Sequence, residues 1–181
     1  MKPLWAVALG WILLALRADV NGFDLYADPL GWLLVMLGVR LLPAAFPSRS
    51  ALLTLGGVAG TTAVLLWLPS VDSWLRDQDP AVAWAANLPQ FGWLALFCWA
   101  AGNAARSAGE LVPAAWFRTL LAVAVGIVVL PVLVFGAGIV SLDGLASVLV
   151  LLGPITFVGV LFWYGTRPWA DPVQAAAEQT G

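Results

Sequence analysis

Six long apolar runs separated by short polar connections follow one another along the chain. They cover residues 5–16, 29–42, 51–68, 81–105, 117–136 and 139–164, and the first helix is expected to reach about Val20. A helix needs about 20 residues to cross a hydrocarbon core, and no alternating pattern typical of membrane strands occurs. The sequence therefore predicts an all-α integral membrane bundle of six transmembrane helices, arranged as three helical hairpins.

The distribution of basic residues predicts the orientation of this bundle. With a cytoplasmic N-terminus, the outer side holds two basic residues, Arg17 and Arg76, and the inner side holds the other six of the eight: Lys2, Arg40, Arg49, Arg106, Arg118 and Arg167. Cytoplasmic connections carry the excess of basic residues. Both termini are thus predicted to be inside, with outer connections near residues 18–28, 70–80 and 137–143.

Composition leaves no room for a separate soluble domain. The 181 residues are 62% hydrophobic and 10% charged, with a formal net charge of −2, whereas soluble domains carry about 45–50% apolar and about 25% charged residues. We expect one transmembrane domain over residues 1–168 and a short polar cytoplasmic tail over 169–181. The first helix is expected to stay uncleaved, because Leu16 stands where a signal peptidase requires a small residue.

The same composition excludes several chemistries. The chain has no histidine, Lys2 is its only lysine and Cys98 its only cysteine. Serine–histidine catalysis, histidine-bound zinc and a phosphate-loop lysine are therefore ruled out. We expect a non-enzymatic protein without a cofactor or a nucleic-acid partner. A metal-dependent lipid enzyme that uses Asp24 and Asp28 is an alternative.

The first outer connection is the most polar stretch of the chain. Asp19, Asn21, Asp24 and Asp28 offer oxygen ligands of the kind that hard cations such as calcium require, although their spacing is not that of an EF-hand. In the alternative interpretation this is a solvated loop in which Asp28 caps the second helix ahead of Pro29. Because residues 29–42 span only about 21 Å at 1.5 Å per residue, Asp28 is expected to lie below the outer surface.

Residues 22–34 also carry a family resemblance. Their sequence, G-F-D-L-Y-A-D-P-L-G-W-L-L, resembles the G-F-D-L-L-P-D-x-x-G-[YW]-L-L segment of a family of small uncharacterised multi-pass membrane proteins of bacteria. Asp24, Asp28 and Gly31 match that signature, and Tyr26-Ala27 replaces its Leu-Pro. The resemblance implies an integral bacterial membrane protein of unknown function and supplies no activity. The cytoplasmic membrane is its expected location.

Further polar residues fall at the depth predicted for Asp28. Asn87 and Gln90 are three apart, hence on one helical face, and Asp143 lies at the start of the sixth span. With Asp24 and Asp28 they predict an acidic, outward-facing recess that binds a small cation or polar ligand, a lipid or a protein partner. Two alternatives are a small transporter lined by these groups and simple hydrogen bonding between helices.

Two further features predict packing. Gly56 and Gly60 form a G-x-x-x-G face in the third span, which lets helices approach closely, within the chain or in a homo-oligomer in the bilayer. The four tryptophans that lie deep in the predicted spans are expected to pack inside the bundle: Trp11, Trp32, Trp93 and Trp99.

Overall fold

The structure, a computed structural model, describes residues 1–16, 19–20, 23–24, 28–78 and 80–171. Its helices and strands in chain order are α1 (Pro3–Ala15), β1 (Asp19–Val20), β2 (Phe23–Asp24), α2 (Asp28–Leu41), α3 (Arg49–Trp67), α4 (Pro69–Arg76), α5 (Pro80–Ser107), α6 (Leu111–Pro131) and α7 (Asp143–Tyr164). A π-helical turn, Val132–Gly136, follows α6, and a 3-10 turn, Val140–Leu142, precedes α7. The predicted all-α class is confirmed. The first helix, however, ends at Ala15, and beyond it β1 and β2 form a two-residue antiparallel pair.

Four helical stretches are long and apolar enough to cross a membrane: Arg49–Trp67, Ala81–Ser107, Leu111–Val134 and Gly144–Tyr164. The two helices α1 and α2 have only 13 and 14 residues, which correspond to about 20 Å each. The chain is therefore an all-helical membrane protein with four helices of spanning length and two shorter ones packed among them.

The six longer helices form a ring in chain order. Each packs mainly against its neighbours in sequence, and α7 returns to contact α1; the short α4 contacts α3 and α5. Short connections favour such packing between consecutive elements.

Glycines bring α1 and α2 into close contact. A Cβ added to Gly10 would lie 2.6 Å from the carbonyl oxygen of Gly31, and one added to Gly38 would lie 2.8 Å from that of Pro3. Only hydrogen fits at these positions. The two short helices therefore pack backbone against backbone over most of their length.

Aromatic side chains fill the centre of the ring. Trp93 stacks on Phe97 with ring centroids 5.0 Å apart, and Trp11 meets Phe157 edge to face at 5.3 Å. Trp32 packs edge-on against Trp93 at 5.6 Å. The prediction that deep tryptophans pack inside the bundle is confirmed for these three. The prediction is wrong for Trp99, which is 47% exposed on the face of α5 that points away from the bundle.

Contacts at one end of the bundle join both ends of the described chain. The Trp5 indole donates to the carbonyl of Phe162 at 3.3 Å, and Arg167 Nε lies 3.5 Å from Glu110 Oε2. At the turn between α2 and α3, Arg49 Nε donates to the carbonyl of Val39 at 3.3 Å. This bond satisfies one of the carbonyl groups in the last turn of α2. The start of α1 and the end of α7 thus lie on the same side of the bundle.

Candidate functional site

Three of the predicted site residues line one small cavity. Asp28 begins α2, and Asn87 and Gln90 lie in the first half of α5. Together with Thr62 of α3 they border a space of about 30 Å³. The cavity therefore lies among α2, α3 and α5.

The volume limits what this cavity holds. A cavity needs about 10–15 Å³ to hold one water, so a space of about 30 Å³ admits one or two waters or a small bare cation. Two of the lining groups already donate inside the protein: one N–H of Asn87 Nδ2 donates to the carbonyl of Ala83 at 2.8 Å, and the Thr62 hydroxyl donates to that of Val58 at 3.1 Å. Their oxygens are left for acceptor or ligand roles beside Asp28.

The described atoms do not place the other predicted ligand residues at this cavity. The backbones of Asp19 and Asp24 pair across the β1–β2 hairpin, but their side chains, like the whole of Asn21, lie outside the described residues. Asp143 begins α7, which packs against α6 and α1, and its side chain is also outside them. Among the residues that the structure describes, no cluster of three or more Asp, Glu or Cys side chains is placed to hold a metal ion.

The two glycines predicted to pack face tryptophans of the same chain. A Cβ at Gly56 would lie 3.2 Å from Trp93 Nε1, and one at Gly60 would lie 3.3 Å from the Cβ of Trp32. The bare backbone beside Gly56 also lets the Trp93 indole donate to the carbonyl of Leu52 at 3.0 Å. Both glycines thus serve packing inside the chain, while association of two copies through this face stays a prediction.

A second, larger cavity did not emerge from the sequence. It is a groove of about 550 Å³ where α1, α5 and α7 meet, and its walls include Trp11, Ala15, Gln90, Phe91, Pro154 and Ile155. Apolar side chains form nearly all of it, and such residues cannot be told from ordinary lipid-facing positions by their pattern. Gln90 borders both this groove and the small polar cavity, so the two spaces adjoin at one side chain.

Comparison with known proteins adds no further assignment. No protein-family model matches the sequence, and searches of curated proteins and of solved structures find no match either.

Proposed function

We propose that this chain is a multi-pass protein of the bacterial cytoplasmic membrane that binds a small cation or polar ligand from the outer side, without catalysing a reaction. In this proposal all six longer helices cross the bilayer, and both termini lie in the cytoplasm. The short α1 and α2 cross as one tightly packed pair, which a locally thinned bilayer accommodates at modest cost.

The observation that carries the proposal is the cavity beside Asp28. Ionisable residues within membrane-spanning bundles are rare, and such a residue is a functional candidate by default. Asp28 shares its cavity with the side chains of Asn87 and Gln90, which come from a different helix. One carboxylate and several neutral oxygens around a space of about 30 Å³ suit a small cation better than an organic ligand.

The aromatic centre of the bundle favours binding over transport. Trp11, Trp93 and Phe157 are almost completely buried, each at most 2% exposed, and they occupy the middle of the ring. A transport path would need polar groups that continue toward the inner side. Among the described residues the central positions are apolar, so transport by this chain alone requires a rearrangement of that cluster.

A thermal unfolding titration of the purified protein tests the proposal. A ligand that binds only the folded state stabilises it by about 2.7 kcal/mol at a concentration 100 times its Kd. Calcium, magnesium or sodium should raise the Tm by several degrees, whereas tetramethylammonium, which is too large for the cavity, should not. Asp28→Asn should abolish the shift, and Asp77→Asn, which changes an exposed carboxylate after α4, should retain it. Absence of any cation-dependent shift, or an equal shift in Asp28→Asn, would overturn the proposal.

A further inference from the structure

The groove among α1, α5 and α7 has the dimensions and lining of a site for a small lipid-soluble molecule. Its volume of about 550 Å³ lies within the range of about 300–1,000 Å³ that is usual for organic ligands. Apolar walls with a few placed polar groups are typical of such sites. Leu151 and Ile155 in the α7 wall are 65% and 63% exposed, so the groove opens sideways toward the lipid.

One polar side chain in the groove lacks a hydrogen-bond partner at a depth where water is scarce. Trp11 also borders the groove, but it is 2% exposed and its indole N–H is closed off from the groove by the surrounding protein. The Gln90 side chain makes no hydrogen bond to any other residue in the described part of the chain. Polar groups in a protein interior are nearly always hydrogen-bonded, and an amide left alone in a membrane is costly. A ligand oxygen in the groove would satisfy the Gln90 amide.

Charge and depth narrow the class of ligand. None of the described residues that line the groove is charged, which disfavours a phosphate or carboxylate group. Trp11 is about 12 Å along α1 from Pro3, and Gln90 about 15 Å along α5 from Pro80, so both lie near the middle of a core of about 30 Å. The ester groups of a phospholipid stay at the interface and do not reach this level.

We propose that the groove binds one uncharged lipid of the isoprenoid quinone class, with its ring beside Phe91 and Gln90. A carbonyl oxygen of the ring accepts a hydrogen bond from the Gln90 amide. A planar ring also gains from packing against Phe91. The apolar tail leaves through the open side between α1 and α7 and mixes with the lipid chains. This site is separate from the proposed cation site and shares only Gln90 with it.

The test uses decylubiquinone as the probe and decylbenzene as a probe of similar shape without acceptor oxygens. The full chain in phosphatidylcholine nanodiscs is titrated with each, and quenching of tryptophan fluorescence for the quinone, together with the Tm shift for both, reports binding. Ala15→Phe fills the groove from its α1 side and should weaken quinone binding at least about tenfold. Its matched control is Ala122→Phe, on the exposed face of α6 away from the groove, which should bind like the unmodified protein.

Gln90→Leu tests the polar recognition. Loss of a hydrogen bond with a net value of about 1 kcal/mol corresponds to roughly fivefold weaker binding, and this loss should appear for decylubiquinone and not for decylbenzene. Asp28→Asn should leave quinone binding unchanged, which separates this proposal from the cation site. Thermal unfolding without probe identifies any variant that misfolds, and Gln90→Met, which keeps a similar length and has no amide donor, then replaces Gln90→Leu. Equal binding of the two probes, or equal binding by Ala15→Phe and Ala122→Phe, would overturn the proposal.

Discussion

Substitution of Gly10 by alanine provides the sharpest test of how the short helices are held. The new Cβ would lie 2.6 Å from the Gly31 carbonyl oxygen and 2.9 Å from the backbone nitrogen of Val35, whereas ordinary contacts begin near 3.4 Å. These are backbone atoms of α2, so they cannot rotate away. The two helices must therefore separate by about 0.8 Å. A gap of 0.5–1 Å forfeits about a quarter to a half of the dispersion energy of each atom pair, and overpacking of this kind costs about 1–3 kcal/mol.

Gly57→Ala is the matched control for this substitution. Gly57 also lies within an apolar helix, and a Cβ there would meet nothing within 4 Å. Because alanine favours helix by about 1 kcal/mol over glycine, Gly57→Ala should be neutral or stabilising. Equilibrium unfolding in mixed detergent micelles, followed by circular dichroism, gives both free energies of unfolding. If Gly10→Ala is as stable as the unmodified protein, or if Gly57→Ala is destabilised equally, the close packing of α1 on α2 is not what the structure describes.

Three further predictions follow from single contacts. Trp93→Phe keeps an aromatic ring but removes the 3.0 Å hydrogen bond to the Leu52 carbonyl; it should lower the free energy of unfolding by about 1–3 kcal/mol, and an unchanged value would show that this bond contributes nothing. Glu110→Gln breaks the 3.5 Å ion pair with Arg167, whose side chain is 48% exposed, so its cost in unfolding experiments should stay below about 1 kcal/mol and shrink with added salt. In a Cys98→Ala background, a membrane-impermeant thiol reagent added to whole cells should label Ser73→Cys and not Ser48→Cys, and the reverse pattern would invert the proposed orientation.

The helices themselves can be predicted from the sequence because the mean hydropathy of a segment depends only on neighbouring residues. All six apolar runs contain a helix, yet their ends shift where the pattern is ambiguous. The predicted fifth helix starts at residue 117, whereas α6 starts at Leu111. Pro113 falls in its first turn, where no backbone N–H is needed, and Arg118 is exposed, so neither residue interrupts the helix. The eight-residue α4 was missed because its polar composition is typical of a connection.

Only the part of the candidate site that depends on spacing along one helix could be predicted from the sequence. A separation of three places Asn87 and Gln90 on one face, and the structure has both on the same cavity as Asp28. The close approach of α1 and α2 was missed, although Gly31 and Gly38, seven residues apart, give α2 a stripe of small residues that indicates it. The groove had no such signal. It depends on how the first and last helices of the ring lie beside each other, which no local pattern encodes.

The shortness of α1 connects the fold to both proposed sites. At the end of the bundle where α1 begins, Trp5 lies against Gly165 and Phe162, and further along Trp11 meets Phe157, so α1 and α7 are joined closely there. Beyond Trp11, α1 continues for only four residues. The side chains of Leu14 and Ala15 are smaller than those aromatic rings, and the groove opens between this part of α1 and α7. The glycine contacts that fix α1 on α2 also keep it from moving into this gap. A longer, bulkier first helix would close the groove, which adjoins the cavity beside Asp28 at the Gln90 side chain.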